Sequence, residues 1–418
     1  MIFLCLLLQL ATLLFAKTLL RYWMHPVLVL VLLWTVLSMA TVLFAPEYYF
    51  SAASYVAIIL FQVAAVAGAV VGFAAIPPRV NDTLGMTIRG ARLVSWASLF
   101  IGLVGASIIL QSKGNTLSVL LDFAKLAEVS RDFSVARYQE DYRMPLAARI
   151  CQMFVFAACL ICGAQFAVNR KSMRGFEFFL PLLALVSTVL VLTTRATFIY
   201  GALFWLSAYL AGRYFCSSSA AWQPFTKRGA LFSIFGSLLF TAGFVWMQML
   251  RGGIVGDMSR LPEVIAHLKK WPFGSLAGFS VWFDSKNFSE PTFGYFFLTG
   301  LFDLAGIRAR ETGIFSDYVD IGNGDMANIF TLFRVIIDDF TYPGAALFML
   351  LLGFASSFAV SITVRRSIFG IALLSAIYPL VLFSPIVGFY SYLGHVVAAV
   401  FFAAYMPLMM RRLARDAS

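Results

Sequence analysis

Charge is what this 418-residue sequence has least of: Asp, Glu, Lys and Arg together make up 12% of it, against 61% apolar residues. That balance excludes a soluble globular domain, which carries about 25% charged residues. Short segments of alternating hydrophobicity are missing, which excludes a transmembrane β-barrel. Histidine occurs only at His25, His267 and His395, too scattered to suggest a metal site. The five cysteines (Cys5, Cys151, Cys159, Cys162 and Cys216) lie mostly in apolar runs. Cys159-x-x-Cys162 has redox-motif spacing, but it falls inside such a run. A reactive thiol needs an electropositive, accessible setting, so both sulfurs are expected to pack. No sequence repeat of the kind that marks many secondary transporters is present.

What is present is a series of apolar runs long enough to span a bilayer. Eleven spans are predicted, at about 1–16, 24–45, 52–76, 91–111, 146–168, 177–194, 196–214, 229–249, 342–364, 367–385 and 387–410. The chain therefore reads as an all-α polytopic integral membrane protein. No basic residues precede the first run, which favours a retained helix over a signal peptide. The net charge of +11 does not point to nucleic acid, because the basic residues sit in short clusters between spans. Lys17/Arg21, Arg79/Arg89/Arg92, Arg170/Lys171/Arg174, Arg213/Lys227/Arg228, Arg365/Arg366 and Arg411/Arg412/Arg415 fall on alternate connections. The positive-inside rule makes that face cytoplasmic. The N-terminus is then outside, the C-terminus inside, and the connections 112–145 and 250–341 external. Three regions follow: 1–249 with eight spans, 250–341 as a large external loop with an interfacial segment, and 342–418 with three spans and a cytoplasmic tail.

The run 176–215 tests the count. It is interrupted only at Thr193-Thr194-Arg195-Ala196-Thr197. A single helix that long would overshoot a hydrocarbon layer of about 30 Å. A hairpin turning at Arg195 fits better and puts Arg195 at the external membrane surface. In the 112–145 connection, 117–129 reads as an interfacial amphipathic helix. The charges from Arg131 to Arg143 read as a solvated face.

The stretch 251–328 and the segment 330–340 behind it hold the candidate chemistry. Polar groups are costly near hydrocarbon, so those that persist there are functional candidates. Arg195, Arg251 at the start of Arg251-Gly252-Gly253, and Arg334 converge by topology on the external side. Arginine binds phosphate through a bidentate fork and stays charged when partly desolvated. Glycines after Arg251 let backbone amides approach a ligand. On a helix, Thr331, Arg334 and Asp338 share one face, and Arg334 and Asp338 are spaced to pair. Either Asp338 or Asp339 is a candidate general base, with Arg334 as a phosphate ligand. His267 is the alternative base, in a helix predicted over 262–268. Ten aromatic residues between Trp271 and Phe297 are candidate interface anchors, loop core or platforms for sugar rings.

Asn328-x-Phe330-Thr331-x-x-Arg334, followed by Asp339-Phe340 and Gly344, resembles a segment of the bacterial O-antigen polymerase (Wzy-type) family. There the pattern runs Asn-Val-Tyr-Thr-x-x-Arg, then Asp-Phe-Gly-x-x-Gly, ahead of a late span. This chain departs at Thr341, where the first glycine is expected, and has an extra acid at Asp338. Thr193-Thr194-Arg195 and Arg251-Gly252-Gly253 also look like that family. The resemblance implies a GT-C-like membrane fold in the bacterial inner membrane. It implies glycosyl transfer from an undecaprenyl-diphosphate-linked glycan onto an undecaprenyl-diphosphate-linked repeat unit, in lipopolysaccharide O-antigen or related polysaccharide synthesis. It implies a chain-length regulator and a flippase as partners besides membrane lipids. Arg195, Arg251, Gly252, Gly253, Asn328 and Thr331 would bind substrate; Arg334, Asp338 and Asp339 would act in catalysis. With no acidic cluster resembling a metal site, metal-independent transfer without a cofactor is expected. The rival functions are an O-antigen ligase, with the same donor, and a polysaccharide transporter or flippase.

Overall fold

The computed structural model describes residues 1–78, 86–139, 142–217, 241–249, 259, 261–285, 290–307 and 314–412. Its helices, in chain order, are α1 (Ile2–Leu20), α2 (Pro26–Phe44), α3 (Ala52–Ala75), α4 (Ala91–Gln111), α5 (Phe123–Gln139), α6 (Leu146–Val168) and α7 (Leu180–Leu192). Then come α8 (Arg195–Cys216), α9 (Leu261–Ser285), α10 (Thr299–Leu304), α11 (Leu332–Val364), α12 (Ile368–Leu382) and α13 (Leu393–Met409). Residues 241–249 are also helical.

Among the described residues, seven segments are long and apolar enough to cross a membrane: α1, α2, α3, α4, α6, the segment Gly175–Leu192 that ends in α7, and α11. The protein is thus an all-α polytopic membrane protein. α12 and α13 are apolar but shorter, because the chain turns between Phe383 and Tyr392 rather than continuing as helix. Most of the expected span 229–249 lies outside the described residues.

The described residues fall into two compact units, which cut across the three sequence regions. One draws on 1–82, 217–222 and 268–396; the other on 83–216, 223–267 and 397–418. The first unit is built on α3 and α11, whose backbones touch. A Cβ on Gly68 would collide with the carbonyl oxygen of Leu350, and one on Gly353 with that of Ala65. Small residues at such crossings are what permit close helix packing in a membrane. Ser357 on α11 donates to the Ala69 carbonyl at 2.7 Å and meets His25 Nε2 at 3.1 Å. His25 in turn caps α2, its Nδ1 accepting from the Val27 amide at 3.3 Å. Trp34, Phe61 and Phe279 surround Phe333, the second residue of α11, with ring centroids 4.8, 5.4 and 6.3 Å away.

α11 has 33 residues, which at 1.5 Å each is about 50 Å, longer than the hydrocarbon layer. Thr341 breaks it, with φ 62° and ψ −179°. The portion after the break is about 35 Å long. The break leaves 332–340 as a separate helical piece at the end of the spanning portion.

In the second unit, α7 and α8 form the expected hairpin. Thr193 ends α7 with φ 51°, and α8 starts at Arg195. Gly201 faces Leu185, and farther from the turn Trp205 Nε1 donates to the Phe178 carbonyl at 2.9 Å, so the helices run antiparallel. α5 is longer than the predicted 117–129: a 3₁₀ turn at Leu117–Leu121 precedes it, and its apolar residues Leu126, Val129 and Phe133 pack on Leu110 and Leu192. Arg131 and Asp132 lie on its exposed side, as a solvated face requires. Cys159 and Cys162 are fully buried in α6, consistent with packing.

Candidate functional site

The site lies in the first unit, where 332–340 meets the connection 290–331. Thr331 precedes the first turn of α11 with extended backbone (φ −72°, ψ 166°) and does not share the helical face expected of it. Its hydroxyl is buried and has no hydrogen-bond partner among the described residues. Asn328 is half-buried just after a two-residue hairpin strand, Met326–Ala327, which pairs with Val319–Asp320.

Arg334 is the centre. Its side chain is 8% exposed. Nε donates to Asp338 Oδ2 at 3.3 Å, the pair that the i, i+4 spacing predicts. Nη2 donates to Asp317, with both carboxylate oxygens 2.9 Å away. The guanidinium carbon sits 3.9 Å from the ring centroids of both Phe315 and Phe330 and 5.1 Å from Trp282. Cation–π contacts of this kind strengthen as water is excluded. Nη1 is buried and has no hydrogen-bond partner among the described residues.

This geometry changes the chemistry expected of Arg334. Two carboxylates already hold Nε and Nη2, so the local charge is negative. A phosphate would meet two like-charged carboxylates and only the buried Nη1 without a partner among the described residues. The arrangement suits a positioned carboxylate better than a bound anion.

Asp339 is fully buried. Oδ1 accepts from the Thr292 hydroxyl at 2.6 Å and the Phe296 amide at 2.9 Å, and Oδ2 from the Phe297 amide at 2.7 Å. The amides of Thr292 and Phe293 also donate to the carbonyls of Asp338 and Asp339. Asp339 therefore clasps the turn ahead of α10 onto α11. Phe296 stacks on Phe315 at 5.1 Å, so the clasp and the arginine cage share a wall.

A cleft of about 520 Å³ is lined by Tyr49, Val281, Asp284, Ser285, Asp320 and Gly322, two of them close in sequence to cage residues. Val281 is next to Trp282 on α9, and Asp320 lies three residues beyond Asp317. Asp284 is held by the hydroxyls of Tyr49 at 2.8 Å and Ser51 at 2.6 Å. The bond to Asp284 raises the Tyr49 phenol above its ordinary value. Nearby, burial pushes Tyr48 up to about 12. A hydrogen bond from Lys269, at 2.5 Å, holds the Glu47 carboxyl below the usual range. Across this connection, among the described residues, Asp284, Asp317, Asp320, Asp325, Asp338 and Asp339 outnumber Lys269, Lys270 and Arg334.

The other sequence candidates lie elsewhere. Arg195 belongs to the second unit, where it is 7% exposed at the first turn of α8 with its guanidinium carbon 4.3 Å from the ring of Phe244. Arg251, Gly252 and Gly253 lie outside the described residues, as does the side chain of His267. Sequence reasoning missed Asp317, Phe315 and Asp284. The only signal was acids and aromatics in a connection too long for a turn. No protein-family model matches this chain, and neither does a curated protein or a solved structure.

Proposed function

We propose that the protein is a membrane glycosyltransferase that polymerises lipid-linked oligosaccharide repeat units. It would move a glycan from undecaprenyl diphosphate onto an undecaprenyl-diphosphate-linked repeat unit, at the periplasmic face of the bacterial inner membrane. The observation that carries this reading is the Arg334–Asp317–Asp338 cluster, caged by aromatic rings at the kinked end of a spanning helix. Carboxylates accept hydrogen bonds from sugar hydroxyls, and the buried rings of the cage keep water from the arginine that holds them. The cleft beside Asp284 has the volume of a small-ligand site, about 300–1,000 Å³. In this scheme Arg195 and Arg251 take the diphosphate, as the resemblance to the polymerase family implies, and Arg334 serves its two carboxylates. No metal ion is assigned a role. A chain-length regulator and a flippase would work with it, and the basic clusters would face the cytoplasm.

A transport reading has one observation in its favour. Gln9 on α1 and Gln62 on α3 are fully buried, with no hydrogen-bond partner for either carboxamide among the described residues. One assay separates the two readings: purified protein in liposomes with lipid-linked repeat units. Polymerisation predicts a ladder of lengthening lipid-linked glycans, lost in Arg195→Lys because an ammonium cannot replace a planar fork. Movement of the lipid-linked unit across the bilayer without elongation would establish transport instead.

A further inference from the structure

The geometry points to Asp317 as the catalytic base, an inference that rests on the glycosyl-transfer reading above. Three carboxylates gather at 317, 338 and 339, and their surroundings differ. Asp339 is fully buried, with both oxygens engaged by Thr292, Phe296 and Phe297. The Asp338 side chain is 11% exposed, while that of Asp317 is 47% exposed. A general base must come within about 2.6–3.2 Å of the proton it removes. Asp317 alone of the three offers that access without rearrangement.

Exposure by itself would leave the carboxylate poorly placed, because Asp317 lies in irregular backbone between 314 and 318. Arg334 supplies the placement. Its guanidinium lies between Phe315 and Phe330, and Asp338 holds its Nε. The remaining nitrogen on that side grips Asp317 at 2.9 Å. A carboxylate has about four lone-pair sites, so gripping by one nitrogen leaves acceptor capacity for a substrate hydroxyl. Arg334 is then a positioning residue, and the charge excess of the cluster has a use.

The step balances without a co-reactant. The acceptor hydroxyl oxygen forms a bond to the anomeric carbon of the donor glycan. The bond from that carbon to the diphosphate oxygen breaks, and its electron pair leaves with the diphosphate. The hydroxyl proton passes to a carboxylate oxygen of Asp317 and from there to water.

The test uses the full-length protein in liposomes, with initial transfer rates measured from lipid-linked repeat units. Donor retention is measured separately with radiolabelled donor and no acceptor. Asp317→Asn and Asp317→Ala are expected to lose about 10²–10⁴-fold in rate, the range of general base catalysis, with donor retention and melting temperature unchanged. Added formate should restore part of the rate of Asp317→Ala, because a small carboxylate can occupy the vacated position. It should not restore Arg334→Lys. A rate for Asp317→Asn within about threefold of the unaltered protein, well short of the general-base range, would overturn the assignment. So would a loss that formate does not relieve, or one accompanied by loss of donor retention, each of which makes Asp317 a binding or supporting group. If the unaltered protein retains donor but never elongates it, the polymerase reading itself fails and the base assignment falls with it.

Discussion

Replacing Thr341 with glycine is expected to stabilise the protein. Thr341 has φ 62° and ψ −179°, a conformation adopted almost only by glycine. A β-branched side chain there is strained by on the order of 1–3 kcal/mol. Glycine removes the strain but adds about 0.5–1 kcal/mol of chain entropy to the unfolded state. Thr341 is half-buried and its hydroxyl makes no hydrogen bond among the described residues, so little else is lost. The net gain is about 0–2 kcal/mol. Thr363, also on α11, is the contrasting site. It is fully buried, and its hydroxyl donates to the Ala359 carbonyl at 2.6 Å. Glycine there should cost about 0.3–0.4 kcal/mol in helix propensity and about 0.5–1.5 kcal/mol more for the lost hydrogen bond. Thermal unfolding in detergent, followed by tryptophan fluorescence, ranks the variants. Thr341→Gly should melt at or a few degrees above the unaltered protein and Thr363→Gly below it. Thr341→Ala, which keeps a Cβ, should gain less than Thr341→Gly. If Thr341→Gly falls as far as Thr363→Gly, the break at 341 is wrong.

Two further predictions concern the connection itself. Asp339→Ala leaves the buried amides of Phe296 and Phe297 without acceptors, which costs about 2–6 kcal/mol at about 1–3 each. It should lower the melting temperature markedly while Glu290→Gln, at an exposed position, does not; equal melting of the two would dismiss the clasp. Glu47 titrates below the ordinary glutamate value because of Lys269. Its contribution to stability is therefore present above the unfolded pKa of about 4.3 and lost as pH falls through the folded value. Glu47→Gln should melt below the unaltered protein at neutral pH and converge with it in acid. A constant gap across that range would refute the pairing.

The parts legible in the sequence are those governed by local rules. The hairpin at Thr193–Arg195 was readable because membrane thickness limits helix length, and the Arg334–Asp338 pair because helical spacing fixes it. Asp317 was not, since the contact that gives it meaning crosses seventeen residues and depends on where a loop folds back. At α9 the sequence predicts an aromatic loop with only a short helix at 262–268. Pro272, Gly274 and Gly278 break its pattern, yet the helix runs through to Ser285. Gly278 eases the close approach of Ile329, whose carbonyl oxygen lies 3.0 Å from where a Cβ would sit. Thr341 shows the opposite case. Threonine is a residue that sequence rules place in extended or helical backbone, and the glycine-like conformation found there comes from the break in α11.

The contact between α3 and α11 has a consequence for divergence. Where two helices meet through main-chain atoms, the requirement on the sequence is the lack of a side chain at positions such as 68 and 353. Glycine meets it fully, and alanine or serine suffice at the looser places beside it. No particular chemical group is demanded, so the lipid-facing residues around the seam are free to exchange among many apolar types. A fold held together in this way can persist while almost every letter of its text is rewritten.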